Sequence, residues 1–188
     1  MEGKAMAKEA SCASGRRVFP WRLIGWSVPA ILLLLPLAAM RFTDEVNWTA
    51  SDFVFAAVLF GSVGLAFELI VRKSNGLAYR LGAVLAVIGA FLAVWVNGAV
   101  GMIGSEDNPY NLLFLGVPVI ALLGAIVAGF RPAGMAWAMG AAAAMQAGLG
   151  LLGMSTDMRG GIFSAGFATL WLLGAALFAR SAQERTAP

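Results

Sequence analysis

Long apolar runs alternate with short polar connections along most of the chain. A helix that crosses the hydrocarbon core of a bilayer needs about 20 mostly apolar residues, and six runs reach about that length. No ten-residue segment shows the alternation that is typical of a membrane β-barrel strand. The pattern therefore predicts an all-α integral membrane bundle with six transmembrane helices, with five spans as the alternative. The six predicted spans are 22–40, 50–71, 77–104, 111–130, 133–153 and 161–179.

The polar stretches divide the chain into a bundle and two tails. Residues 1–20 are polar, small and of mixed charge, which predicts a mobile cytoplasmic tail before a transmembrane bundle over 21–180. Residues 181–188 are predicted to form a cytoplasmic C-terminal tail. Only Arg131 and Pro132 separate the fourth run from the fifth, so these two helices are expected to be antiparallel neighbours. The connections are too short for a separate soluble domain.

Composition supports the membrane interpretation. Of the 188 residues, 60% are hydrophobic and 12% are charged, and the mean hydropathy is +0.82. A soluble domain has roughly 45–50% apolar and about 25% charged residues. The sequence therefore excludes an ordinary soluble protein.

The basic residues predict the orientation of the bundle. With six spans, 11 of the 13 lysines and arginines fall on the side that holds both termini, and Arg41 and Arg159 fall on the other. Because positive residues are retained on the cytoplasmic side, both termini are expected in the cytoplasm. The basic inner surface predicts contact with anionic lipid and gives no reason to expect nucleic acid.

Glu68 is the first polar candidate inside a span. It shares a helical stripe with the small residues Ala57, Gly61 and Gly64, which let another helix approach closely. It lies about 6 Å along the helix from Arg72, near the inner boundary. One interpretation is an ion pair with Arg72 or Arg80. The other is a proton or cation site at an inner vestibule.

Asn97 and Gln146 are the other intramembrane candidates. Each lies on a stripe of small residues, in the third and fifth spans. At 1.5 Å per residue, Asn97 lies about 25 Å above Arg80, and Gln146 lies about 20 Å above Ala133. Their depths match, so we expect a hydrogen bond between them that joins the two helices. Trp171 falls in the middle of the last span and is expected to serve packing.

The outer loops have a structural and a functional interpretation. Asn108 suits a helix N-cap with Pro109 at the first helical position, and residues 49–52 (TASD) fit a capping box. Glu106, Asp107 and the other outer acids could instead bind Ca²⁺ or Mg²⁺. No EF-hand spacing is present, and we assign no metal site.

One segment carries a resemblance. Residues 95–109 (WVNGAVGMIGSEDNP) resemble a segment of a family of small multi-pass bacterial membrane proteins of uncharacterised activity. The same pattern includes Asn47–Thr49 with Asp52–Phe53, and Phe67–Glu68 followed by Tyr79–Arg80. The resemblance covers about 48–131. The resemblance implies a bacterial inner membrane and no particular activity. It also favours a Glu68–Arg80 pair between the second and third spans.

The residue inventory gives no reason to expect an enzyme. The chain has no histidine, one cysteine, and no HExxH, P-loop or GxSxG motif. We therefore expect no catalytic residue and no cofactor. The sequence favours a non-enzymatic membrane component or accessory subunit, with another copy of itself or a second membrane protein as partner. The alternative is a small transporter or channel with Glu68 at its cytoplasmic mouth.

Overall fold

The computed structural model describes the backbone of residues 21–73 and 76–186, with side chains for 26–70 and 76–186. Within these ranges the chain is helical and contains no strand, so the predicted all-α membrane bundle is confirmed. The predicted tail at 1–20 lies outside the described residues. The helices are α1 (Trp21–Ala39), α2 (Ala50–Lys73), α3 (Leu77–Ala99), a 3-10 helix (Pro109–Leu115) that continues into α4 (Gly116–Val127), α5 (Pro132–Gly153) and α6 (Met158–Thr186).

Five helical segments are long and apolar enough to cross a membrane: Ala50–Ile70, Leu77–Ala99, Pro109–Val127, Pro132–Gly153 and Met158–Thr186. The chain is therefore a multi-pass membrane protein. Helix α1 coincides with the first predicted span and contains Pro29 and Pro36. Its apolar part with described side chains, Trp26–Ala39, is shorter than a full span. A sixth crossing by α1 stays a prediction.

The chain divides into two compact units, Met1–Ala57 and Val58–Pro188. In the first unit, the start of α2 is capped locally. The carboxylate of Asp52 accepts hydrogen bonds from the Thr49 backbone N–H at 2.7 Å and from the Thr49 hydroxyl at 2.8 Å. The acidic half of the predicted capping box is therefore confirmed. In a full capping box, the Thr49 hydroxyl would accept a hydrogen bond from the backbone N–H of Asp52, whereas here it donates to the Asp52 carboxylate.

In the second unit, small residues let helices α4, α5 and α6 pack backbone to backbone. A Cβ added at Gly150 would lie 2.8 Å from the amide nitrogen of Ala165 and 2.9 Å from the carbonyl oxygen of Gly161. A Cβ added at Gly124 would lie 2.6 Å from that of Ala138. Close approach of this kind is the usual basis of helix association in lipid. The predicted antiparallel pairing of the fourth and fifth spans is confirmed.

Bulky side chains fill the space that the small residues leave between the helices. Trp171 and Phe178 on α6 are 1% and 0% exposed. A Cβ at Gly89 of α3 would lie 3.4 Å from the Trp171 ring, and a Cβ at Gly82 would lie 3.3 Å from the Phe178 ring. Ala142 and Met139 of α5 belong to the same core. The expectation that Trp171 serves packing is confirmed.

Three helix ends differ from the prediction. Helix α3 ends at Ala99, not at residue 104, because Gly101 and Gly104 adopt positive φ angles of 76° and 72°, which a right-handed helix does not contain. The fourth span begins as a tighter 3-10 helix. Helix α6 continues through most of the predicted 181–188 tail to Thr186, with an Arg180–Glu184 pair at 3.0 Å on its exposed surface.

The end of α4 explains the tight turn into α5. The N–H of Phe130 donates to the carbonyl of Ala125, and the N–H of Gly129 donates to that of Ile126, which is the Schellman arrangement. Gly129 adopts φ 57° and Phe130 φ 58°. The left-handed conformation costs a non-glycine residue about 1–2 kcal/mol. Arg131 and Pro132 then open α5 immediately.

Candidate functional site

Glu68 and Arg80 lie on α2 and on the first turn of α3. Glu68 is half-buried and Arg80 is exposed. Each takes part in a non-covalent interaction. The side chain of Arg72, the other predicted partner, lies outside the described residues. A pair of Glu68 with either arginine stays a prediction. Gly61 lies on the same predicted contact stripe. A Cβ added there would meet no atom of the described residues within 4 Å, so none of them packs closely against the stripe at that point.

The predicted hydrogen bond between Asn97 and Gln146 is wrong. Both side chains are buried, at 7% and 0% exposure. Neither Asn97 Oδ1 nor Gln146 Oε1 has a hydrogen-bond partner among the described groups, so neither amide donates to the other. Sequence spacing gave the depth of each residue, but the direction of a side chain around the helix axis depends on packing.

Gln146 instead pairs with Ser164 of α6. Its Nε2 donates to the Ser164 hydroxyl at 2.9 Å, and that hydroxyl lies 3.4 Å from the Gln146 backbone carbonyl, to which it donates. Ser164 is fully buried. The pair lies one helical turn from the Gly150–Gly161 contact, so a buried polar bond and a close backbone approach together join α5 to α6. The sequence analysis missed Ser164, because a single serine in an apolar span carries no distinguishing pattern.

Asn111 organises the loop after α3, on the side of the bundle that the sequence predicts to be the outer one. It is 3% exposed, and its Oδ1 accepts from the N–H groups of Met102 and Ile103 at 3.1 and 2.9 Å. Its Nδ2 donates to the carbonyls of Ile103 and Ser105 at 3.3 and 2.8 Å. One amide thus makes four hydrogen bonds, its full capacity. The sequence analysis placed Asn111 at the start of a span and missed this role.

Asn108 and Tyr110 complete the same loop. Asn108 Oδ1 accepts from the N–H of Tyr110 at 3.1 Å with Pro109 at the first helical position, as predicted. Its Nδ2 donates to the Ile103 carbonyl at 3.0 Å. The Tyr110 hydroxyl donates to the Leu149 carbonyl of α5 at 2.8 Å. The distinctive outer segment therefore acts as a hydrogen-bonded cap on the bundle.

Asp157 holds this cap to the loop between α5 and α6. Its carboxylate accepts from the N–H of Gly104 at 3.0 Å and from the N–H groups of Arg159 and Gly160 at 3.1 Å each. These donors, that of Gly160 above all, hold the pKa of the Asp157 carboxyl below its usual value. Asp157 is one of the acids on the predicted outer side, and the sequence pattern did not predict this role.

Glu106 and Asp107 are the outer acids that the sequence offered as candidate cation ligands. Glu106 and Asp107 are both exposed. Among the residues that the structure describes, no group of three or more acidic, histidine or cysteine side chains is arranged to hold a metal ion.

Tyr79 links three elements at the opposite end of the bundle. Its hydroxyl donates to the carbonyl of Phe130 at 2.9 Å, and its ring meets that of Phe178 edge-on at 5.1 Å. The guanidinium of Arg185 lies 5.8 Å from the centre of the Tyr79 ring, within the range of a cation–π contact. Arg131 follows Phe130 directly in the sequence and is exposed.

The comparisons with known proteins add no identification. No protein-family model, no curated protein and no solved structure matches the sequence.

Proposed function

We propose that this chain is a non-catalytic, multi-pass component of a bacterial inner membrane, an accessory or scaffolding subunit that assembles with a second membrane protein or with its own copies. The bacterial inner membrane follows from the resemblance of residues 95–109, and both cytoplasmic termini follow from the distribution of basic residues.

The filled core of α3, α5 and α6 is the observation that carries the proposal. Trp171, Phe178 and Met139 occupy the space between these helices, and glycines on α3 and α5 touch the facing helix. A conduit needs polar groups or irregular backbone along its wall. Among the described residues, the buried polar side chains of these three helices are Asn97, Gln146 and Ser164 in the half nearer the α5–α6 loop, and Ser181 near the other end of α6.

The described polar groups also have structural roles that involve no chemical reaction. Asn111, Asn108 and Asp157 hold loops, and Gln146 with Ser164 joins two helices. No nucleophile–base pair is among them, which supports a role without catalysis or cofactor.

The first test is the assembly state. Native mass spectrometry of the chain released from its own membranes is expected to give complexes heavier than the 19.6 kDa monomer. Monomer alone, across several mild detergents and lipid nanodiscs, would contradict the proposal.

The same proposal includes anionic lipid as a binding partner, because two arginines are exposed at the predicted inner end of the bundle. Arg131 and Arg185 are exposed at the inner end, where Glu184 is occupied by Arg180. Phosphatidylglycerol is expected to raise the Tm of the purified chain more than phosphatidylcholine does. The gain should shrink in a double variant, Arg131→Gln with Arg185→Gln, and persist in the outer control Arg159→Gln. An equal gain in both variants would show that these arginines do not hold the lipid.

The alternative, a small transporter or channel, is favoured by one observation. Asn97 Oδ1 and Gln146 Oε1 are buried oxygens without a described partner, as a transient ligand would require. Glu68 would then lie at the cytoplasmic mouth, with Arg80 beside it. Flux of protons, Na⁺ or K⁺ into proteoliposomes above that of empty liposomes, lost in Glu68→Gln, would establish the alternative. Equal flux in parent and variant would exclude this role for Glu68.

A further inference from the structure

Two buried oxygens near the outer end of the bundle lack a donor. They are Asn97 Oδ1 on α3 and Gln146 Oε1 on α5, and no described protein group donates to either. Both residues are more than nine-tenths buried. A buried polar atom without a partner costs about 1–3 kcal/mol, and lipid offers no donor from outside.

The contacts between helices place the two residues at one level. Helices α3 and α6 run antiparallel, with Gly82 against Phe178 and Gly89 against Trp171. In this register, residue 96, seven residues beyond Gly89, is level with Ser164, seven residues before Trp171. Asn97 therefore lies within about one residue of Ser164, which is about 1.5 Å along the helix axis. Ser164 is hydrogen-bonded to Gln146. Asn97, Gln146 and Ser164 thus share one depth on three different helices.

We propose that Asn97 and Gln146 together bind a water molecule, which donates one hydrogen bond to each side-chain oxygen and joins α3 to the α5–α6 pair. A water molecule has two O–H donors, and two acceptors lack a donor here. Buried waters typically make about three hydrogen bonds to groups that the protein leaves unsatisfied.

The chemistry of the site favours water over a metal cation. A cation such as Na⁺ or K⁺ needs several oxygen ligands to replace its hydration shell. The third oxygen at this level, that of Ser164, already accepts from Gln146 Nε2 and donates to a backbone carbonyl. The positive end of the Gln146 amide therefore points toward that oxygen and disfavours a cation beside it. The indole N–H of Trp171, also without a described partner, lies about 10 Å further along α6 and is not part of this site.

Water-edited solid-state NMR in lipid bilayers tests the proposal on the intact chain. The sequence contains two glutamines, Gln146 and Gln183, so glutamine labelling gives two side-chain amides, and a Gln183→Glu variant assigns them. Polarisation from water is expected to reach the amides of Gln146 and Asn97. The internal control is Asn111, which is equally buried but makes four hydrogen bonds to the protein, and its transfer should be much slower. Transfer to Gln146 and Asn97 no faster than to Asn111 would overturn the proposal.

A shared water also predicts energetic coupling between Asn97 and Gln146, although no direct hydrogen bond joins their side chains. Asn97→Leu should abolish the water transfer to Gln146, and Gln146→Met should abolish that to Asn97. In a double-mutant cycle of these two changes, the unfolding equilibrium constant of the double variant should differ at least about threefold from the additive expectation. The matched control pairs Asn97→Leu with Ser181→Ala, a buried polar residue at the far end of α6, and should be additive.

Two further outcomes would refute the proposal. Transfer to Gln146 that survives in Asn97→Leu would mean separate waters and would refute the shared site. A Tm that rises with NaCl or KCl but not with choline chloride at equal ionic strength would identify a cation as the occupant and refute the assignment to water.

Discussion

Asn111 carries more of the loop structure than any neighbouring side chain. Its amide satisfies two backbone N–H groups and two carbonyls of residues 102–105. Asn111→Ala leaves these groups buried without partners, so the free energy of unfolding is expected to fall by about 2–4 kcal/mol. Asn108→Ala removes two hydrogen bonds from a less buried site and should cost less. Reversible unfolding in mixed micelles measures both, and equal losses would contradict the assignment.

Gly101 permits the turn that Asn111 fills. It has φ 76°, and an added Cβ would lie 2.5 Å from Asn111 Nδ2 and 2.7 Å from the Ser105 carbonyl oxygen. Gly101→Ala is therefore expected to lower the free energy of unfolding by about 2 kcal/mol or more. Gly98→Ala, at a helical glycine with nothing within 4 Å of the new Cβ, should be neutral or stabilise by up to about 1 kcal/mol. A tolerated Gly101→Ala would disprove the loop conformation.

Asp157 gives the outer surface a pH dependence. Its pKa is lowered in the folded chain, chiefly by the N–H of Gly160. The carboxylate therefore stabilises the fold above the unfolded pKa of about 3.9, and this contribution is lost as the pH falls through the lower, folded value. Thermal unfolding should show wild type more stable than Asp157→Asn at pH 6, with the gap closing toward pH 3. A difference between wild type and Asp157→Asn that stays constant from pH 6 to pH 3 would contradict this role.

Among the helices, α5 and α6 depend on one glycine contact. Gly150→Ala would place a Cβ against the backbone of Ala165 and Gly161, so the helices must separate. We expect a loss of about 1–3 kcal/mol, measured as a lower Tm. Gly148→Ala is the matched control, since it lies two residues away on α5 with nothing within 4 Å of the added Cβ. If both variants melt alike, the α5–α6 contact is not as close as described.

The positions of the helices can be predicted from the sequence far better than the residues at which they end. Apolar length predicts α2 to α6, because lipid leaves the backbone few alternatives. The end of α3 at Ala99 was not predicted, because it depends on the side chain of Asn111, ten or more residues away. The same limit applies to the site: Gln146 is buried as expected, but its partner is Ser164, and only the packing of α5 on α6 decides that.

At the scale of the whole molecule, the main feature is the filled interior of the second unit. Small residues bring α3, α5 and α6 together, and Trp171 and Phe178 occupy the space between them. Interfaces of this kind hold their geometry through packing and a few polar bonds. This packing is the basis on which we propose a structural role in the membrane.

Cysteine accessibility tests this central claim most directly. The one native cysteine, Cys12, can be replaced by serine to give a cysteine-free background. Single cysteines then replace Ala93, Ala142 and Ala168, which are 0%, 0% and 3% exposed, while Ser105→Cys in the exposed outer loop serves as the labelled control. A membrane-impermeant thiol reagent is expected to label the control and to reach the three core positions only after denaturation. Labelling of the core positions in the folded protein would reveal a hydrated passage and contradict the packed bundle.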